Sequence, residues 1–324
     1  MMERRAFLAG LVGGCLAVPL IAHAQQPGKV YRVGYLGLGW GRDGLADNLM
    51  RALHDLGYVE GRNLVVEFRW AAGDGPRLAD LATELARARV DVIMAFSTQG
   101  VRAAKRATET IPIVFVAGNP VLNGVVPSLA HPGGNATGVA LQVIGPQKAS
   151  QVLKEAVPKI ARVVYLYDPR STPPERFKTL EGNVDLKGIG LTVRPIPFGP
   201  SDDAQGIAKT LGNATDGLVL ENSPSLQRAA RQLCTFAELH RLPALGSGMF
   251  FAEAGCLIGY GEDDADWTRQ MATIVDKVLK GTKPADIPVE QPVTVKVVVN
   301  LKTAKALGLT IPPSLLQRAD QVIE

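Results

Sequence analysis

The chain has 324 residues, 35 Lys+Arg against 31 Asp+Glu, and 46% hydrophobic residues. At roughly 100–200 residues per domain this length predicts two domains, and a charged share of only 20% excludes a mostly disordered chain. A net charge of +4 with no Lys/Arg run longer than two lacks the footprint of a nucleic-acid binder, and three cysteines exclude a disulfide scaffold.

The amino terminus reads as an export leader. Arg4 and Arg5 precede an apolar stretch from Ala6 to Ala22, and Ala22-His23-Ala24 offers a small-x-small cleavage site before Gln25. Residues 1–24 are therefore expected to be a signal peptide, with an uncleaved anchor as the alternative. Glu3-Arg4-Arg5-Ala6-Phe7-Leu8-Ala9 also resembles the twin-arginine export motif. Val12-Gly13-Gly14-Cys15 faintly resembles a lipoprotein box, but the apolar run continues past it.

From Val30 onward, apolar strands alternate with amphipathic helices. Val30 to Leu38, Leu64 to Trp70, Asp91 to Phe96 and Ile111 to Ala117 read as strands; between them Leu45, Leu49, Leu53 and Leu56, then Leu78, Leu81, Leu85 and Ala88, recur at helical spacing. Ser97 opens the next helix, and Gly138 to Val143 is a strand broken by Gly145-Pro146. The alternation then restarts, with strands at Arg162 to Tyr167, Leu191 to Ile196, Gly217 to Leu220, Pro243 to Leu245 and Gly255 to Tyr260. Helices are expected around Ala149 to Ala156, Arg176 to Leu186, Asp203 to Leu211, Leu226 to Leu239 and Trp267 to Val278. Two successive βα series predict an α/β protein of two Rossmann-like lobes with parallel sheets. Ligands of open α/β sheets bind beyond the carboxyl ends of the strands, so two such lobes frame a cleft that can close. The 34 glycines and 22 prolines exceed their usual combined share of about 12% and fall largely in the loops that would line it.

The carboxyl terminus is more specific. Pro288-Val289-Glu290-Gln291-Pro292 and the stretch from Val297 through Asn300-Leu301-Lys302-Thr303-Ala304 to Ile311-Pro312-Pro313-Ser314-Leu315-Leu316 closely resemble the tail of one family. Ile111-Pro112-Ile113-Val114-Phe115, His131-Pro132-Gly133-Gly134-Asn135-Ala136-Thr137-Gly138, Ala252-Glu253-Ala254-Gly255 and Tyr260-Gly261 extend the similarity along the chain. The family is the substrate-binding proteins of ABC transporters, of the tryptophan-binding type, with a type I periplasmic-binding-protein fold. The resemblance implies lobes joined by a multi-strand hinge: residues 29–141 plus about 262–288 in lobe 1, and 142–261 plus about 289–324 in lobe 2. It implies a periplasmic receptor that hands a small-molecule ligand to a membrane permease and its ATPase, as a monomer, without catalysis, cofactor or metal. In this family Asn119-Pro120 is usually Asp-Pro; the Asn removes a negative charge near the cleft.

Candidate ligand contacts are the residues that follow the strands. Trp40 offers a ring for stacking. Ser97 and Thr98 open a helix, where hydroxyls and free N–H groups suit a carboxylate, or simply cap it. Asn119 and Thr137 complete the lobe 1 set, Thr137 lying at the expected crossing. In lobe 2, Tyr167 favours a ring, Asp168 is placed to pair with a ligand amine, and Asn222 and Ser223 end their strand; Asp168 and Asn222 also read as turn starters before Pro169 and Pro224. Ser247 and Phe250 follow the strand Pro243 to Leu245, while Trp70 reads as packing. The ligand expected is an amino acid or an aromatic or carboxylic acid.

A different reading comes from Gly39-Trp40-Gly41-Arg42-Asp43-Gly44, which matches G-x-G-x-x-G between a strand and a helix and would make the chain an exported nucleotide-dependent oxidoreductase. Against it stands the lack of an acid/base pattern, a metal-ligand spacing or a G-x-S-x-G elbow. Cys234 and Cys256 are read as two small buried residues; a bond between them would need their Cα atoms within about 7 Å.

Overall fold

The computed structural model describes residues 29–39, 41–42, 44–142, 144–177, 184–211, 215–292 and 294–324. The segment expected to be a signal peptide, residues 1–24, lies outside the described residues. Among the described residues no helix is long and apolar enough to cross a membrane.

The first series runs β1 (Tyr31–Gly37), α1 (Gly44–Asp55), β2 (Leu64–Trp70), α2 (Leu78–Arg87), β3 (Val92–Phe96), α3 (Ser97–Ala107), β4 (Ile113–Gly118) and β5 (Ala136–Leu141). Its strands form one parallel sheet in the order β2-β1-β3-β4-β5. β3 is wholly apolar and wholly buried, as a parallel strand with helices on both faces must be. Each such Val, Ile or Phe contributes about 1.5–3 kcal/mol by leaving water. On α2, Leu78, Leu81, Ala82 and Leu85 turn one stripe into the core.

The second series runs α4 (Pro146–Ala156), β6 (Arg162–Tyr167), a 3-10 turn (Pro174–Phe177), α5 (Val184–Gly188), β7 (Thr192–Pro197), α6 (Ala204–Leu211), β8 (Gly217–Leu220), α7 (Pro224–Leu239), β9 (Ala244–Gly246), α8 (Phe250–Glu253) and β10 (Ile258–Glu262). Of the helix expected around Arg176 to Leu186, residues 178–183 lie outside the described residues; its described ends are the 3-10 turn Pro174–Phe177 and the short α5. There follow α9 (Asp264–Leu279), a 3-10 turn (Pro284–Asp286), β11 (Val295–Asn300), α10 (Leu301–Ala306), α11 (Pro313–Arg318) and β12 (Gln321–Ile323). The second sheet has the order β12-β11-β10-β9-β8-β6-β7. Its one antiparallel pair is β10 with β11, because β11 enters the lobe from a crossing instead of from a βα unit.

α9 belongs to the first lobe. Trp267, Met271, Ile274, Val275 and Val278 share a core with Leu49, Leu53 and Val92, and the Tyr58 hydroxyl donates to Asp276 at 2.8 Å. The chain therefore passes between lobes three times, near residues 141–146, 262–264 and 287–295. These passages are tied to one another. The Gln142 N–H donates to the Glu262 carboxylate at 2.7 Å, and Lys296 pairs with Asp263. Asp263 also caps α9, accepting from the Ala265 N–H at 2.9 Å. Along β5, Glu290 exchanges backbone bonds with Gly138 and Ala140 at 2.9 and 2.8 Å. Burial pushes the Glu262 carboxyl up to about 7, with Asp264 adding to the effect.

Cys234 and Cys256 form a disulfide, with Cα atoms 4.7 Å apart, which corrects the reading of two unpaired buried residues. The cause is tertiary: α7 packs on the second sheet and sets Cys234 beside the segment that leads into β10.

Candidate functional site

The carboxyl ends of both sheets lie where the lobes meet, and three backbone distortions mark that edge of lobe 1. Five non-glycine residues among those described have positive φ. Arg89 and Arg241 follow the carboxyl ends of α2 and α7, a common place for left-handed backbone. The other three, Ala72 (φ 50°), Ser97 (φ 68°) and Asn119 (φ 47°), directly follow or lie just beyond β2, β3 and β4. A left-handed non-glycine residue costs about 1–2 kcal/mol, and such strain gathers at functional sites.

Within lobe 1 the Ser97 hydroxyl accepts from the Gly100 N–H at 3.3 Å, so it does support the start of α3. Thr98 is half-buried, and its hydroxyl accepts from Asn123 at 3.4 Å, which ties α3 to the loop after β4. The Asn119 carbonyl accepts from the Asn123 N–H at 3.0 Å in the same loop. Trp40 lies outside the described residues. Trp70 packs on Tyr35, ring centroids 4.5 Å apart, in the aromatic cluster below the sheet edge. Thr137 does not reach this edge. It is fully buried within β5, and its hydroxyl donates to the Ile287 carbonyl at 2.7 Å, bracing the third crossing.

Lobe 2 changes the expected roles of two residues. Tyr167 is buried, and its ring packs on Phe177 with centroids 4.3 Å apart; the last position of β6 faces the core and offers no ring to the cleft. Asp168 is fully buried and spent internally. Its Oδ1 accepts from the Arg170 N–H (2.9 Å) and Nε (3.2 Å), and its Oδ2 from Arg170 Nη2 (2.9 Å) and the Ser225 hydroxyl (2.7 Å). Burial alone would raise this carboxyl, but the bonds from Arg170 and Ser225 outweigh it and hold it below the usual range. What the β6 end presents is the Arg170 guanidinium, 37% exposed, and no free carboxylate for a ligand amine.

Glu221, Thr172, Ser225 and Arg170 complete this cluster and were not expected. Glu221 accepts from the Asp168 N–H at 2.9 Å and from the Thr172 hydroxyl, and burial raises its carboxyl. The sequence clue to it is an acidic residue, Glu221, directly after the apolar run of β8 and before Asn222.

At the ends of β8 and β9 the hydroxyls of Ser223 and Ser247 are buried without a hydrogen-bond partner. Ser223 has the extended backbone of a cap residue before α7, yet its side chain makes no capping bond. Ser247 is held by a close approach of backbones. A Cβ on Gly259 would lie 2.5 Å from the Met249 carbonyl, and one on Gly261 would lie 2.9 Å from Gly248 Cα. Glycine at both positions lets the loop 247–249 settle onto β10. Asn222 is exposed and accepts from Gln227 at 2.7 Å; Phe250 is half-buried against Phe251.

The glycine pattern is not built as a nucleotide cradle. A Cβ on Gly44 would meet nothing within 4 Å, so this third glycine does not serve the close helix–strand packing that a dinucleotide fingerprint requires of it. Glu67, the acid at the right distance downstream, pairs with Arg32 at 2.7 Å in mid-strand.

Comparisons with known proteins agree with this geometry. The family model described as ABC transporter substrate binding protein matches residues 39–323. A tyrosine-binding protein of Clostridioides difficile (strain R20291) is 26% identical over 268 residues, which cover 80% of this chain and 75% of that relative. Among solved structures, an ABC domain in complex with L-Trp from Streptococcus pneumonia is 25% identical with a TM-score of 0.78, covering 90% of this chain and 100% of that one. A conserved domain protein from Vibrio cholerae O1 biovar El Tor shares the fold at a TM-score of 0.82 and 24% identity, over 91% of this chain and 100% of that one. The two-lobed α/β architecture and the family-model match over nearly the whole described chain lead to one conclusion: the chain belongs to the ABC transporter substrate-binding protein family.

Proposed function

We propose that this receptor captures an amino acid, with an aromatic amino acid as the leading class, between the carboxyl ends of its two sheets. The observation that carries the proposal is the pair of buried, partnerless hydroxyls of Ser223 and Ser247 at the cleft end of lobe 2. A buried polar group left without a partner costs about 1–3 kcal/mol, which a polar ligand recovers when it binds. In lobe 1, Ser97 and Thr98 open α3, whose amino end favours a carboxylate. Asn119 stands beside them. The relatives named for tyrosine and L-Trp support the aromatic class.

Ligand contacts made from both lobes draw the open–closed equilibrium toward closed, by the ligand's difference in affinity for the two forms. The permease and ATPase of the transporter then receive the loaded, closed, monomeric receptor. The role is binding without catalysis. An extracytoplasmic site of action fits the Cys234–Cys256 disulfide, which an oxidising compartment preserves. The leader of residues 1–24 would direct the chain to the periplasm.

A thermal-shift screen of the L-amino acids tests the proposal. L-tyrosine or L-tryptophan is expected to raise Tm by several degrees, since a ligand that binds only the folded state stabilises it. A flat response across the panel overturns it.

A further inference from the structure

One residue of lobe 2 touches lobe 1 through both its side chain and its backbone. Arg170 Nη1 donates to the Gly73 carbonyl at 3.4 Å, and Gln99 Nε2 donates to the Arg170 carbonyl at 3.2 Å. Gly73 and Gln99 belong to the edge of lobe 1 that carries Ser97. Arg170 belongs to the turn after β6.

Both halves of this contact are fixed within their own lobes. On the lobe 2 side, Asp168 holds Nε and Nη2, and Ser225 accepts a second bond from Nη2 at 3.0 Å. The turn itself is closed by the Ser171 and Thr172 N–H groups, which donate to the Asp168 carbonyl at 2.9 and 2.8 Å. Only the Nη1 edge of the guanidinium is left, and it faces Gly73. On the lobe 1 side, Ala72 and Gly73 are left-handed, at φ 50° and 77°, and their N–H groups donate to Gly39 and Leu38 beyond β1 at 2.9 and 2.7 Å. The Gly73 carbonyl is therefore aimed by backbone. Gly75 leaves the room that Gln99 occupies: a Cβ there would lie 2.5 Å from Gln99 Oε1.

We infer that Arg170 is a positioning residue in an interlobe latch, which gives the ligand-free receptor a standing population of the closed form. The inference rests on the receptor reading above. Groups ordered beforehand lose little freedom on docking, so even solvent-accessible bonds count toward closure. Two net hydrogen bonds change the closed-to-open ratio by about tenfold. The latch lowers the ligand's share of closure and slows reopening. It also explains why Asp168 is withdrawn from the ligand: its charge orients the latch arginine.

The test uses ligand-free protein throughout, so it does not depend on which ligand binds. Small-angle X-ray scattering and hydrogen exchange compare wild type with Arg170→Lys, which keeps a cation beside Asp168 but loses the forked reach, and with Gln99→Ala, which leaves the Asp168–Arg170 pair untouched. Circular dichroism checks that each variant folds. Both variants are expected to show a larger radius of gyration and exchange at residues 73–75 several-fold faster than wild type. Scattering and exchange indistinguishable from wild type in both would overturn the latch. That result would leave the receptor reading standing, because the latter fails only on the ligand screen.

Discussion

The Asp168 carboxylate, buried at the end of β6, is gripped at two points by a guanidinium only two residues along the chain, that of Arg170, at 3.2 and 2.9 Å. Asp168 is 1% exposed at its side chain, whereas Arg170 keeps 37%. The pair therefore fixes the arginine more than it hides it. An acid that the sequence offers to the ligand serves instead to orient a base at the lobe contact.

Asp168→Asn should destabilise the protein by about 2 kcal/mol. Removing one partner of a fully buried pair costs about 3–5 kcal/mol, but the exposed flank of Arg170 is screened by water. The folded carboxyl lies below its unfolded value, so its contribution is present above pH about 4 and is lost as pH falls through the lowered folded value. Asp216, held at about 2 by Arg162, adds to the same acid window. Urea unfolding between pH 2 and 6 should show a shallower acid decline in the variant than in wild type.

Glu262 has the opposite sign. Its folded carboxyl is raised to about 7, so the group favours the folded state below its unfolded value and loses that contribution as pH rises through 7. Glu262→Gln keeps an acceptor for the Gln142 N–H without the charge. The variant should match wild type at pH 4.5 and exceed it by about 1 kcal/mol at pH 8, after allowance for solvent screening. Thermal melts across that range decide it; parallel curves would refute the raised carboxyl.

Ser223→Ala and Ser247→Ala should each raise ligand-free Tm by about 1–3 °C, because each removes a buried hydroxyl that has no partner. Each should cut the stabilisation given by L-tyrosine or L-tryptophan by a measurable fraction in the same melts. An unchanged ligand response in both variants would remove these serines from the site.

Reducing the Cys234–Cys256 bond, which closes a separation of 22 residues, should cost about 3 kcal/mol in the chain-entropy account. A Cys234→Ala/Cys256→Ala protein, compared with wild type with and without dithiothreitol, measures it. The double variant should be insensitive to the reductant.

Sequence by itself determined the α/β alternation. Runs such as Val92–Phe96 and Gly217–Leu220 are apolar at every position, and only strands covered on both faces tolerate that. The carboxyl-terminal motifs determined the family. Strand-end position alone, however, says which residues can reach a cleft and nothing about what else they touch. Tyr167 and Thr137 were taken up by packing: one by Phe177, the other by the Ile287 carbonyl of a segment 150 residues away. Asp168 was neutralised by a neighbour that no periodicity singles out. Cys234 and Cys256 met because α7 lies on the second sheet. Such outcomes depend on contacts between distant segments, so only the tertiary structure decided which polar groups at the strand ends are satisfied and which, like the Ser223 and Ser247 hydroxyls, are left without a partner.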